Sequence, residues 1–188
     1  MKIVGLLLAA GLSRRFGSNK LLFNIQKEPL VRRTARCLLG AGVAELIVIV
    51  GHQSDQVAEV LADLPLRCEI NQQYQLGRMN SVHTGWTHIP DDADGVLICP
   101  ADLFRLEITD VQQIISAFCE NKSLIIPYFN QQRGHPIIIP AKHKKDILDY
   151  LPRGGCRAFI SDHPQFVQRL EMNSSNIITD LDSPVILD

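Results

Sequence analysis

The chain has 188 residues, of which 46% are hydrophobic and 21% charged. That is the size of one domain, with enough apolar content to bury a core without disulfide staples or structural metals. Nineteen Lys and Arg against 20 Asp and Glu leave a net charge of −1, which argues against a general nucleic-acid or membrane-surface binder but leaves room for a small anionic ligand held by a local cationic cluster.

Taken in chain order, short apolar runs alternate with helix-period segments. Lys2 to Leu8, Glu45 to Val50, Gly95 to Cys99 and Leu124 to Ile126 suit strands buried on both faces, as in a parallel sheet. Between them, Leu30 to Leu39, Ser54 to Leu61, Asn80 to His88 and Thr109 to Phe118 carry helical spacing, with Ser54 and Thr109 placed to cap free amides. This βαβαβαβα order predicts an α/β fold, an open doubly wound, mostly parallel sheet with right-handed crossovers. Later, Pro136 to Pro140 reads as a strand bounded by prolines and Phe166 to Leu170 as another, with short helices over Lys142 to Tyr150 and Arg157 to Asp162.

The five cysteines are odd in number and widely spaced, so they are expected to be free and buried rather than a disulfide framework or zinc site. Met1 to Ala10 runs straight into a Gly-containing loop and not into a cleavage site, and no apolar run reaches the ~18 residues of a membrane span. A cytoplasmic protein is expected.

Two features can carry chemistry. The first strand ends in Leu8-Ala9-Ala10-Gly11, followed by Ser13, Arg14, Arg15, Gly17 and Lys20. Small residues at the carboxyl edge of a parallel strand let a ligand approach backbone amides, and three cations with no intervening acid suit a triphosphate. Neither of the common phosphate-loop patterns is present. The second feature is Asp102, just past the run Leu97 to Ala101 and at the same sheet edge. Magnesium takes one or two carboxylates together with substrate phosphates, and Asp182 in Asp180-Leu181-Asp182 is a candidate second ligand that only the fold could bring near.

Leu8-Ala9-Ala10-Gly11 through Lys20 resembles the L-A-A-G-x-S-x-R-x-G-x-x-K signature of the molybdenum-cofactor nucleotidyltransferase family, with Arg15, Gly17 and Lys20 on the signature positions. Further elements follow in order: Gly77 to Gly85 with Ser81 kept, Asp102, Arg133-Gly134-His135-Pro136, Gly155-Cys156-Arg157, and Asp180-Leu181-Asp182-Ser183-Pro184. The resemblance covers nearly the whole chain and is nearest to the branch that attaches CMP to molybdopterin. It implies one NTP-transferase domain over residues 1–188, a three-layer Rossmann-like fold of the nucleotide-diphospho-sugar transferase type, and magnesium as cofactor. By that resemblance Leu8, Ala9, Ala10, Gly11, Ser13, Arg14, Arg15, Gly17, Lys20 and Ser81 bind the nucleotide. Lys20, Arg15 and Asp102 serve catalysis, Asp102 and Asp182 hold the metal, and Arg133, His135 and Arg157 face the pterin. The substrates implied are CTP or GTP and a molybdopterin-type cofactor, with a molybdenum hydroxylase as client.

Arg78-Met79-Asn80 stands where the pattern has small serines, Phe104 where it has a proline, and Arg153 where it has an acid. Two other readings stay open: transfer to another phosphorylated acceptor such as a sugar 1-phosphate, and a non-catalytic chaperone for a molybdenum enzyme. His135 is equally read as a pterin contact or as a turn-holding residue. Trp86, with Val82 and Ile89, has core spacing, and His143 and His163 are expected near solvent.

Overall fold

The computed structural model describes residues 1–13 and 16–181. Its strands are β1 (Ile3–Ala9), β2 (Asn24–Ile25), β3 (Glu28–Pro29), β4 (Glu45–Val50), β5 (Arg67–Ile70), β6 (Gly95–Pro100), β7 (Leu124–Phe129), β8 (Gln132–Arg133), β9 (Ile137–Pro140) and β10 (Val167–Glu171). The helices are α1 (Leu30–Gly40), α2 (Ser54–Glu59), α3 (Arg78–Thr87), α4 (Ile108–Asn121), α5 (Lys144–Asp149) and α6 (Gly155–Asp162). No helix among the described residues is long and apolar enough to cross a membrane.

The main sheet runs β10-β7-β9-β6-β1-β4-β5, with β8 paired to β7, while β2 and β3 form a separate ribbon. β1 lies parallel between β4 and β6, and β5 continues the parallel set beyond β4. β9 is antiparallel to both β6 and β7, and β10 is parallel to β7. The expected doubly wound sheet is therefore present, with one reversed strand inserted between β6 and β7.

Strand alternation divides the core into two layers. From β1, Ile3, Leu7 and Ala9 pack with Leu30, Val31, Leu38, Val111, Ile114 and Phe118 of α1 and α4. Val4, Leu6 and Ala10 face the other way, onto Val82 and Trp86 of α3 and Phe159 and Ile160 of α6. Trp86 is fully buried, as its spacing predicts. Gly85 lets α3 lie against β1, since a Cβ there would come within 2.4 Å of the Leu6 methyls.

Several local expectations are corrected. β5 is absent from the sequence reading because Arg-Cys-Glu-Ile has no apolar run. It is the edge strand, where one face carries charge: Glu69 pairs with Arg67 and His88, while on the other face Cys68 packs against the core and Ile70 is 59% exposed. α4 begins one residue before Thr109 and is capped by Asp110, whose carboxylate accepts from Glu107 N–H (3.0 Å), and Ser54 is the first residue inside α2 with no capping bond. His143 is buried, packed against both Phe159 and Phe166. Among the cysteines, Cys119 is exposed and Cys68 half-buried, while the other three are buried as expected.

Candidate active site

The carboxyl ends of β1 and β6 open onto one cleft of about 370 Å³. Leu8, Ala10, Gly11, Ser13, Lys20, Ser81 and Asp102 all line it, so residues 94 positions apart in the chain share one wall. Ala9 does not, because the same alternation that turns Leu8 and Ala10 to the cleft turns Ala9 into the α1–α4 core. Gly17 is also outside the lining; it sits at φ +78° in the turn that returns the loop to the sheet, a conformation that suits a residue without Cβ. Arg14, Arg15 and Asp182 lie outside the described residues.

The loop after β1 is closed by short bonds. Phe16 N–H donates to Ser13 O (2.9 Å), and Ser13 Oγ accepts from Lys20 N–H (3.2 Å). Asn19, buried and unremarked in the sequence, accepts from Leu21 N–H through Oδ1 (3.1 Å) and so starts the single helical turn Lys20–Leu22. This turn aims Lys20 inward. Its Nζ lies 2.7 Å from Asp102 Oδ2 and 3.1 Å from Leu181 O, in a pair only 17% and 14% exposed.

The turn that carries Asp102 is held from four sides. Ala101 N–H donates to Leu8 O (3.1 Å), Thr34 Oγ1 of α1 donates to Ala101 O (3.2 Å), Leu181 N–H to Asp102 O (3.0 Å), and Arg33 Nε to Phe104 O (3.0 Å). Each backbone group satisfied in this way restricts the turn, so the carboxylate sits at a fixed place on the cleft floor.

Beyond Asp102 lies a second, smaller cavity of about 160 Å³, lined by Arg133, Gly134, His135, Asp180 and the Ile177–Ile178 turn. The Arg133-Gly134-His135-Pro136 loop is pinned to β7 through Gly134 N–H on Pro127 O and to that turn through His135 N–H on Ile177 O (2.8 Å each). A Cβ on Gly134 would meet Ile177 O at 2.8 Å. The turn is tied to α4 through Asn176 Nδ2, which donates to the capping carboxylate of Asp110 (3.0 Å). Burial, assisted by the charges of Arg133 and Arg78, pushes the half-buried His135 down to about 4, so its ring is neutral at physiological pH. Burial also lowers Arg133, and the charge of Arg157 adds to that effect. Arg157 itself is exposed on α6 and in the lining of neither cavity.

Three residues line both spaces: Arg78, Pro100 and Asp102. Arg78 opens α3 within the stretch that departs from the sequence pattern, and its cation stands at the junction. Among the described residues no group of three or more His, Cys, Asp or Glu gathers to hold a metal. Asp102 on the cleft floor is a carboxylate of the kind that a magnesium-type cation shares with substrate phosphates.

A strand-edge cleft with a clamped carboxylate, a converging lysine and a second cavity beside it is an arrangement suited to phosphorylated ligands. The chain belongs to the MobA-like NTP transferase domain family, whose profile matches residues 5–167. It is 28% identical over 152 residues to the "Probable molybdenum cofactor guanylyltransferase" of Thermococcus sibiricus, covering 80% of this chain and 73% of that protein. It is 29% identical over 118 residues to "Bifunctional protein GlmU" of Carboxydothermus hydrogenoformans, covering 62% of this chain but spanning only 26% of that protein. Over 96% of its length it is also 23% identical to "Nicotine blue oxidoreductase" of Paenarthrobacter nicotinovorans, covering 92% of it. Among solved structures, a nucleotidyl transferase of Methanothermobacter shares the fold with a TM-score of 0.80 at 19% identity, over 97% of this chain and 92% of that one.

Proposed function

We propose that the protein is a magnesium-dependent nucleotidyltransferase that moves a nucleoside monophosphate, CMP from CTP or GMP from GTP, onto the terminal phosphate of a molybdopterin-type cofactor and releases pyrophosphate. The single observation that carries this reading is the meeting of two cavities at Asp102, one walled by a phosphate-type loop and the other by arginines. A donor and an acceptor, both anionic, would lie on either side of that carboxylate.

Transfer of this kind needs position and charge neutralisation more than a protein nucleophile. An oxygen of the acceptor phosphate attacks the α-phosphorus in line, and the bond to the β-phosphate oxygen breaks with pyrophosphate leaving. The Gly11–Ser13 backbone cradles the triphosphate, and Lys20 turns from Asp102 to the phosphates as they enter. Arg14 and Arg15 add charge to the same end. Asp102, with Asp182, would hold magnesium, which supplies a positive charge shared with the phosphates. Arg78 faces donor and acceptor together. Arg133 and His135 receive the acceptor, and Arg157 supports them by charge from the rim. CTP is put first for the signature and the Arg133–Pro136 element, GTP beside it for the Thermococcus relative. A molybdenum hydroxylase would consume the product in the cytoplasm.

Pyrophosphate release measured with CTP, GTP and ATP, each with magnesium and with or without molybdopterin, tests the reading. Release that requires both a nucleotide and molybdopterin is the expected result. Release that requires a sugar 1-phosphate instead would move the acceptor assignment, and nucleotide binding with no release from any pair would leave a cofactor-binding chaperone.

A further inference from the structure

One buried carboxylate lines neither cavity yet reaches the wall of the smaller one. Asp110, 6% exposed in the first turn of α4, accepts two hydrogen bonds on Oδ2, from Glu107 N–H and from Asn176 Nδ2 (3.0 Å each). A carboxylate only accepts, so the Asn176 amide must turn its nitrogen toward it. A bond to a charged acceptor held out of water is stronger than one between neutral groups. The helix behind it is a firm base, since Val111, Ile114 and Phe118 lock α4 into the core.

Asn176 passes this hold to the loop of the smaller cavity. It lies in the short helical turn Ser175–Ile178, which Ser174 Oγ opens by accepting from Asn176 N–H (3.1 Å) and Thr179 Oγ1 closes by donating to Ser175 O (2.7 Å). The next residue, Ile177, is buried, and its carbonyl takes the His135 N–H (2.8 Å). Ile177 and Ile178 line the smaller cavity together with Arg133, Gly134 and His135. A continuous run of contacts leads from α4 through Asp110 and Asn176 to the loop that carries Arg133 and His135.

We propose that Asp110 and Asn176 are positioning residues whose mutual hydrogen bond holds the Ile177 turn, and through it Arg133 and His135, in the arrangement that receives the acceptor. The inference rests on the reading of the smaller cavity as the acceptor site and adds what keeps that site in place. Arg133 and His135 stand on a loop, and a loop holds groups at reacting distance only where a packed neighbour fixes it. Neither Asp110 nor Asn176 lines the cleft, so loss of their bond loosens acceptor binding and spares the nucleotide.

Exchanging the two groups tests it. Asn176→Asp sets a second carboxylate against Asp110, and at about pH 8 the two repel. Asp110→Asn combined with Asn176→Asp restores a donor facing an acceptor, and the amide at position 110 can still accept from Glu107 N–H. The first readout is amide hydrogen exchange of the whole protein without ligands. In Asn176→Asp the His135 N–H should exchange at least about tenfold faster than in the native protein, and the double variant should return it to within about threefold. Ala101 N–H, bonded to Leu8 O on the cleft side, should keep its rate throughout. The second readout is turnover of molybdopterin with CTP or GTP and magnesium. Asn176→Asp should raise KM for molybdopterin about tenfold and leave the nucleotide Kd within about twofold, and the double variant should recover the native KM. Should Asn176→Asp fail to fold by circular dichroism, Asn176→Ala removes the donor without adding charge and serves for the comparison with the native protein. Unchanged exchange at His135 in a folded variant, no recovery in the double variant, or an unchanged KM for molybdopterin overturns the proposal. The expected exchange pattern in a protein that does not turn over molybdopterin supports the hold on the loop and overturns the acceptor reading.

Discussion

The two spaces that meet at Asp102 are built by different means. The cleft lies at the ends of parallel strands, where Leu8 and Ala10 to Ser13 supply one wall and the flanking strands point the same way. The smaller cavity is assembled from chain segments far apart: the turn from Pro100 to Leu103, the loop before the reversed strand β9, and the stretch from Ile177 to Asp180. One is a local consequence of strand and loop. The other exists only when three distant segments dock, so it should be the more easily broken by small changes away from the reacting groups.

The shared residues should show the largest effects. Asp102→Asn keeps size and loses charge, and should lower turnover by about 10³-fold; the melting temperature should fall with the loss of the Lys20 ion pair while unfolding stays cooperative, since the clamps on the turn act on its backbone groups. Steady-state rates together with thermal melts decide this. Arg78→Met should lower kcat by about 10²-fold while CTP binding stays within a few-fold of the native value. Loss of CTP affinity with unchanged kcat would assign Arg78 to the cleft alone.

Two further changes separate the cavities from each other. Gly134→Ala forces a Cβ against Ile177 O and the Ile177 side chain, which should cost about 1–3 kcal/mol of stability. It should raise KM for the acceptor and leave nucleotide binding intact, a contrast that titration of both ligands would show. The smallest effect expected is on pH dependence. His135 has a folded pKa near 4, below its ordinary 6.5, so the unfolded chain takes up a proton in the interval that the folded one refuses. Its stabilisation is complete above pH 6.5 and is lost as pH falls toward 4. Melting temperatures across that window should fall more steeply for the native protein than for His135→Gln.

The same contrast governs what could be read from the sequence. The parallel half was legible because buried strands are continuous apolar runs, and the loop after β1 and Asp102 after β6 fall at strand ends. β5 was not, since an edge strand replaces apolar residues with charge. Asn19 was missed for another reason: it is a polar residue in an irregular stretch, where only the bonds it makes give it a role. The wall of the second cavity shows in the sequence only as the Arg133-Gly134-His135-Pro136 pattern. That it stands beside Asp102 depends on Leu181 reaching Asp102 O and His135 reaching Ile177 O, contacts with no trace in residue spacing. His143 illustrates the opposite error, a polar residue read as near solvent that the fold packs into a cluster of aromatic rings.

The central claim is that donor and acceptor meet across Asp102, and the mass of the product tests it most directly. Incubation of the native protein with CTP or GTP, magnesium and molybdopterin should yield the cofactor heavier by one nucleoside monophosphate, together with one pyrophosphate, and neither product with Asp102→Asn. A native protein that binds both ligands yet returns the acceptor unchanged in mass, or an Asp102→Asn variant that still forms the adduct at the native rate, would contradict it.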